Sequence, residues 1–380
     1  MSAATPWHKA VEAAETRLRS AETAHDTDAA IAAATDAVTM FRAALDLAPV
    51  ALVPLDWAET QTRMSVALRL LGALLDDVDL LHDAIRSAEA ALSVAPLATA
   101  PQVWARARAA RGSIYVVLGE READLGTLGE AAACYAEAIE GFPRAAFPRD
   151  WARMMRNRGA ALSLLGEVAN DPDALIDAIG CYRAALDVYA STAPPADPAA
   201  ANPSLPGAAS SDGAPANGTP PGVAPVALAD WALTQSNLGQ ALRLLGEYDD
   251  TPGGTHYLRE AVAACNAALA ATTPNATALQ STPNEPTPQG PATHGQRPQE
   301  PTPHGSAPQE WAMTATNLAN SLAALGDRTS DADCLRRAIA AYKQALAALP
   351  GERWLRQRAI ARHNLTLAER RLAAWEATGA

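Results

Sequence analysis

The hydrophobic positions of this chain repeat in blocks, and each block predicts a pair of helices. Between Asp230 and Glu247, apolar side chains lie 0, 7, 10, 11 and 14 residues after Trp231, on one stripe of an amphipathic helix. Self-similarity at a fixed period indicates a repeat array. Positions are counted from the Trp of each repeat, so that +15 lies fifteen residues later. A Trp-Ala pair opens five such stretches, at Trp57, Trp104, Trp151, Trp231 and Trp311.

Each block predicts a first helix, A, and a second helix, B. A glycine at +15 in all five blocks is expected to end helix A in a left-handed C-cap conformation. A polar, acidic turn follows, and helix B has Ala at +27 in four blocks. Four residues after this marker Ala, most B helices carry a larger side chain, and a proline closes several blocks. These positions are Gly72, Gly119, Gly166, Gly246 and Gly326, then Tyr135, Tyr182, Cys265 and Tyr342, then Pro96, Pro143 and Pro350.

The two ends of the chain resemble parts of the repeat, and two stretches interrupt the repeats. Ala37, Phe41 and Pro49 reproduce a B helix, and Arg353–Trp375 reads as one more A-type helix. Two Pro-, Ala-, Gly- and Thr-rich stretches cannot bury enough apolar surface to offset the entropy of ordering, so we expect disordered inserts. The predicted units are 1–50 (divergent repeat), 51–190 (repeats 2–4), 191–228 (insert), 229–272 (repeat 5), 273–308 (insert), 309–350 (repeat 6) and 351–380 (capping helix and tail).

The helix-turn-helix unit resembles the tetratricopeptide repeat. Leu238-Gly239 with Leu242 matches the family pattern of helix A, and Ala338, Tyr342, Ala345 and Pro350 match that of helix B. The unit is longer than the usual 34 residues, as in the repeats of kinesin light chains and many bacterial signalling proteins. The resemblance implies an all-α, right-handed alpha-solenoid of about six helical hairpins plus a C-terminal capping helix.

Composition and charge narrow the classes of partner and the compartment. A net charge of −12 and a pI near 5.1 argue against broad affinity for nucleic acid or for an anionic membrane. The sequence shows no secretory signal and no apolar run of the roughly 18 residues that a membrane span needs. The four cysteines lack ligand spacing, and we expect buried free thiols. A cytoplasmic protein is the resulting expectation.

The sequence contains no recognisable catalytic motif. It has no P-loop, no GxGxxG after a strand, no HExxH and no GxSxG, and its seven histidines recur in no register. Acidic turns such as Asp171-Pro172-Asp173 lack the Gly and the terminal Glu of a calcium loop, and we expect them to cap B helices. We therefore expect a protein that is not an enzyme and has neither a cofactor nor a metal.

The resemblance implies a binding surface on the inner side of the array. In tetratricopeptide arrays the A helices line a concave groove that holds a peptide or a partner helix, and the frequent arginines here make an acidic segment one candidate ligand. An Asn amide suits such a groove because it donates to a carbonyl and accepts from an N–H. Carried over by register, the groove residues are Arg106, Arg153, Arg156, Asn157, Asn237, Gln240, Arg243, Asn317 and Asn320.

Other hypotheses remain open. The arginines could instead pair with the acidic turns and B helices of neighbouring repeats. The repeated Trp is expected to be structural, with its ring in the seam between one A helix and the preceding B helix. The leading functional hypothesis is a non-catalytic scaffold for a protein or peptide. The alternatives are a self-assembling or regulatory scaffold that acts through its edges and inserts, or a regulatory subunit for a separate effector enzyme.

Overall fold

The protein is an all-α solenoid, as the sequence predicts. A computed structural model describes residues 6–24, 26–47, 50–191, 225–272, 308–349 and 354–378, and these contain thirteen helices and no strand. The A helices are α1 (Pro6–Thr23), α3 (Pro54–Leu75), α5 (Pro101–Glu122), α7 (Pro148–Ala169), α9 (Pro225–Tyr248) and α11 (Pro308–Thr329). The B helices are α2 (Thr27–Leu47), α4 (Val78–Val94), α6 (Leu125–Glu140), α8 (Pro172–Ser191), α10 (Pro252–Thr272) and α12 (Ala332–Ala347), and α13 (Leu355–Thr378) is last.

The helices stack in chain order. Each A helix packs against its own B helix and against the B helix of the preceding hairpin, and α13 covers the free side of α12. Successive A helices also contact one another, so they form one continuous side of the array. The predicted inserts, 191–228 and 273–308, lie largely outside the described residues, but Pro225 already begins α9.

The five A helices of the Trp-Ala series begin three residues or more before their Trp. Pro54, Pro101 and Pro148 occupy the first helical turn, where the missing N–H costs nothing because that donor has no intrahelical partner. The N–H of the Trp then gives the first intrahelical hydrogen bond, as from Trp57 to the carbonyl of Val53 at 2.9 Å. The Trp-Ala pair therefore lies within the first turns of helix A and does not open it.

The glycine at +15 does not end helix A, contrary to the prediction. Each A helix continues beyond it, and in four hairpins a non-glycine residue four positions later adopts the left-handed conformation, for example Asp76 with φ 57°. The glycine instead lies where the two helices approach each other closely. A Cβ on Gly119 would lie 2.7 Å from the side chain of Leu128 in α6. Leu81 and Leu175 stand against Gly72 and Gly166 in the same way.

A second small residue, at +8, faces the large side chain of helix B. A Cβ on Gly159 would lie 2.8 Å from the ring of Tyr182, and one on Gly112 would lie 3.2 Å from the ring of Tyr135. Tyr182 is fully buried. The α5–α6 and α7–α8 hairpins therefore each contain two contacts of the same kind, in which a large side chain from B occupies space that a glycine in A leaves open.

The turns between A and B are only two residues long in four hairpins. The first turn residue has the left-handed conformation, and the second is an Asp that caps helix B, as expected for the acidic turns. Asp124 accepts hydrogen bonds from the N–H groups of Gly126 and Thr127, and Asp331 accepts from those of Asp333 and Cys334. Capping of this kind satisfies backbone donors that the first helical turn leaves unpaired.

These caps predict an acid-sensitive contribution to stability. Hydrogen bonds from the Thr127 hydroxyl and from the backbone lower the pKa of Asp124. A lowered pKa in the folded state means that the cap stabilises above the unfolded pKa of about 4 and is lost as the pH falls through the folded value. We expect Asp124→Asn to leave the melting temperature near neutral pH almost unchanged, because Asn also caps, but to reduce its fall between about pH 5 and pH 3. An unchanged acid dependence would contradict this role, and Asp124→Ala is the control that loses the cap at every pH.

The repeated Trp is less buried than expected. Trp231 alone is buried, in a cluster with Val188 and Tyr189 of the preceding B helix. The other four indoles of the series are half-buried. The Arg108 guanidinium lies 5.2 Å from the Trp104 ring centroid, and that of Arg144 lies 5.1 Å from the Trp151 ring centroid. The Ala after each Trp is the fully packed member of the pair, since Ala58, Ala105, Ala152, Ala232 and Ala312 are all buried.

Candidate functional site

The inner side of the solenoid contains a cavity of about 710 Å³. The A-type helices α7, α9, α11 and α13 supply most of its wall, and single residues of α10 and α12 complete it. The array curves strongly enough for α7 and α13 to line the same space. Arg356 of α13 also comes within 3.7 Å of Glu120 of α5, so the capping helix approaches the third hairpin across the groove.

The charged side chains of the cavity are balanced. Arg243 pairs with Glu247 at 2.5 Å, and Arg371 of α13 pairs with Asp327 of α11. Glu120, Glu167, Glu247 and Asp327 all occupy +16 and are exposed, so they form an acidic row, of which all but Glu120 line the cavity. Partial desolvation by the cavity wall raises the pKa of Asp327, although Arg371 opposes this shift. The wall therefore offers both charges within one small space.

A hydrogen-bonded group of polar side chains lies in the wall. The Oδ1 of Asn320 accepts from the Tyr342 hydroxyl at 2.6 Å and from the Nδ2 of Asn364 at 3.0 Å. These two donors fix the orientation of the amide, so Asn320 presents its own N–H groups on the opposite side. Burial raises the pKa of Tyr342 to about 12, so its hydroxyl stays protonated and donates at neutral pH.

Arg328 ties the end of one A helix to the next. Its guanidinium donates to the carbonyl of Asp249 at 2.7 Å and to that of Gly246 at 3.1 Å, at the C-terminal end of α9. Carbonyls at a helix C-terminus lack intrahelical donors and carry partial negative charge, so a cation is favourable there. Arg121 contacts Asp76 at 2.8 Å from the same position, +17, of an earlier hairpin.

Two of the predicted groove residues, Arg243 and Asn320, line the cavity. The others lie on A helices but are not gathered into one site. Asn317 donates to the Ser236 hydroxyl at 3.2 Å, between α11 and α9, and Arg156 pairs with Asp230 at 2.5 Å, between α7 and α9. The remaining ones are placed as follows: Arg106 pairs with Glu59 of α3, Arg153 pairs with Asp150 of its own helix, and Asn157, Asn237 and Gln240 are half-buried.

The arginines of α5 and α7 do not form one basic stretch. Arg106 and Arg156 lie on the side where A helices meet A helices, because their partners belong to neighbouring A helices, and Arg153 pairs within α7. Arg108 instead pairs with Glu137 of helix B at 2.9 Å, and Arg111 donates to the Tyr115 hydroxyl at 2.8 Å. Arg106, Arg153 and Arg156 lie at +2 or +5, whereas Arg108 and Arg111 lie at +4 and +7. This difference in register separates the two groups.

Several residues of the cavity were not among the predicted groove residues. Asn364, Arg371, Ile360 and Leu367 belong to α13, which the sequence indicates only as a cap. Asn364 follows Asn317 by one period of 47 residues, so its position in the repeat could be predicted from the sequence. The acidic row at +16 was also visible in the sequence.

No group of His, Cys, Asp and Glu in the described chain could hold a metal ion. Among the same residues, no helix is long and apolar enough to cross a membrane.

Two solved structures are distantly similar to this chain. No protein-family model matches the chain, and no curated protein matches it. The crystal structure of BtubC (BKLC) from P. vanneervenii is similar over 92% of this chain and 94% of that one, with 14% identity and a TM-score of 0.37. A protein from the computational design of self-assembling cyclic homooligomers covers 97% of this chain and 95% of its own, with 13% identity and a TM-score of 0.13.

Proposed function

We propose that this protein is a non-catalytic protein-interaction scaffold, and that the cavity between α7, α9, α11 and α13 binds a segment of a partner protein. The observation that supports this most is the composition of the wall. Ion-paired arginines and carboxylates, the amides of Asn320 and Asn364, and the exposed aliphatic side chains of Ile360 and Leu367 share one concave space.

The size and chemistry of the cavity suit a peptide segment. Its volume falls within the range of about 300–1,000 Å³ that is typical of ligand pockets in proteins. Ile360 and Leu367 are 49% and 36% exposed, so a partner's apolar side chain can cover them. The amides can bond the partner's backbone, and the paired charges can exchange partners with its polar groups. Because the wall carries both charges, the segment that fits best is of mixed charge.

The predicted groove residues outside the cavity extend this surface in the proposal. Arg106 and Arg153 both lie at +2, and both remain exposed despite their ion pairs. Exposed pairs of this kind contribute little to stability, so a partner's carboxylate can replace Glu59 or Asp150 at small cost. The strong negative charge disfavours nucleic acid and so favours a protein partner in this proposal.

The test uses α13, because it offers a matched control on the same helix. Random peptides displayed on phage are selected against the full chain, and the dissociation constants of the enriched peptides are then measured. Ile360→Asp and Leu367→Asp should each weaken binding about tenfold or more. Leu355→Asp, at a position that is 60% exposed and outside the cavity wall, should leave affinity unchanged. Failure to enrich any peptide, or equal affinity for all three variants, would refute the proposal.

A further inference from the structure

Arg69 of α3 occupies the register position of a cavity residue in a different hairpin. It lies at +12, as does Arg243, which lines the cavity. Each of these arginines acts electrostatically on the Tyr at +31 of the following repeat, Arg69 on Tyr135 and Arg243 on Tyr342. The shared register therefore gives the two arginines equivalent positions on their A helices, one in the N-terminal half and one in the C-terminal half.

The surroundings of Arg69 and Arg243 differ in the residue at +16. Arg243 is neutralised by Glu247, four residues later at +16. Position +16 is acidic in four repeats, but in the repeat of Arg69 it is Ala73. Within the part of the chain that the structure describes, Arg69 makes no ion pair, and its buried Nε has no hydrogen-bond partner. The carboxylate that acts on it electrostatically is the exposed Glu22 of α1, and the two side chains form no ion pair within the described residues.

Arg69 lies in a largely desolvated place on α3. Its guanidinium is enclosed by protein on most sides, and this burial lowers its pKa, yet the residue keeps part of its surface accessible. Arg156 of α7 influences the same Tyr135, but Arg156 is already neutralised by Asp230. A desolvated cation without a counter-ion is unfavourable, and an anion that approaches it gains more than one that approaches an exposed arginine.

We propose that Arg69 forms a carboxylate-binding subsite in the N-terminal half of the concave face, where an acidic side chain of a partner protein takes the place that Glu247 holds beside Arg243. The subsite rests on the proposed scaffold function and names part of its ligand. The guanidinium can hold a carboxylate through two parallel hydrogen bonds. The subsite is separate from the cavity, because none of the cavity wall comes from α3.

The test supplies the missing carboxylate within the chain. Acetyl-hexaglutamate amide is titrated at low salt into the full-length wild type and into Ala73→Glu and Ala73→Gln, which differ only in charge at one exposed position. We expect Ala73→Glu to weaken binding at least about tenfold and Ala73→Gln to leave it unchanged within about twofold. Hexaglutamine of the same length should not bind. Because the protein is strongly acidic overall, binding of this peptide requires a local basic site.

Further arms give the outcomes that would overturn the subsite. Equal affinity in Ala73→Glu and Ala73→Gln, or no binding to the wild type, would overturn it. If inorganic phosphate binds to the wild type but not to Ala73→Glu, while hexaglutamate binds to neither, the assignment to carboxylate is wrong. If Glu22→Gln strengthens hexaglutamate binding tenfold, the carboxylate of Glu22 already occupies the subsite, and a partner's carboxylate does not. Ile360→Asp should leave hexaglutamate binding intact, so failure here is distinguishable from failure of the cavity proposal.

Discussion

Replacing Tyr182 by alanine is expected to lower the free energy of unfolding by about 3–5 kcal/mol, the range for removing a large buried aromatic side chain. Tyr182 is 1% exposed and is among the largest fully buried side chains in the described chain. Its ring packs over Gly159 of α7, where no side chain can fill the space that the ring would leave. Urea denaturation followed by circular dichroism measures the loss.

A double-mutant cycle identifies the contact responsible for this effect. Gly159→Ala alone should destabilise by about 1–3 kcal/mol, because the new Cβ would lie 2.8 Å from the Tyr182 ring. In the Tyr182→Ala background the same methyl group enters the vacated space, so its cost should disappear, with a coupling energy of about 0.5–3 kcal/mol. Gly180→Ala in α8, with nothing within 4 Å, is the control and should be additive with Tyr182→Ala. An additive result for Gly159 would show that the two helices do not meet there.

Gly141→Ala is expected to destabilise the protein by about 1–3 kcal/mol, even though alanine is normally the better residue near a helix. Gly141 follows α6 and lies against the beginning of α5. A Cβ at this position would lie 2.5 Å from the Cβ of Ala105 and far inside contact distance of the Pro101 carbonyl oxygen. The backbone of α5 would have to move, because no flexible side chain is present to rotate away.

Gly129→Ala in the same hairpin should have the opposite sign. Gly129 lies inside α6, and a Cβ added there would meet nothing within 4 Å, so alanine should stabilise by about 0.5–1 kcal/mol through helix propensity. The same chemical change should therefore lower the urea midpoint at residue 141 and raise it at residue 129. Changes of equal sign would contradict the packing of α6 on α5.

The register of the helices could be predicted from the sequence, but the role of its glycines could not. Glycine is favoured both at a left-handed C-cap and at a close helix crossing, because a Cβ would be unfavourable in either place. The pattern around Gly119 is therefore compatible with either role. The structure decides because Ala123 takes the left-handed conformation and Leu128 packs on the glycine. The pairing of small residues at +8 with Tyr135 and Tyr182 could be predicted from the sequence, since both positions recur in the repeats.

The candidate site was predictable only in part, for a geometric reason. Register places Arg243 and Asn320 on the inner side, and both line the cavity. The curvature that brings Glu167 of α7 opposite α13 arises from a small rotation at every repeat, which no single residue type encodes. The separation of Arg108 from Arg106 could be predicted from the sequence, because residues two positions apart point to different sides of a helix.

Cross-linking across the groove tests the central claim, that α7 and α13 line one concave cavity although about 200 residues separate them in sequence. The four native cysteines are buried and free, and burial raises the pKa of Cys265 to about 12, so they should not compete for a short bis-maleimide. Glu167→Cys with Leu367→Cys should cross-link within the monomer in high yield. Glu167→Cys with Gln344→Cys, which lies exposed on α12, should not. Absence of the first product, or equal yields for both pairs, would contradict the curved solenoid.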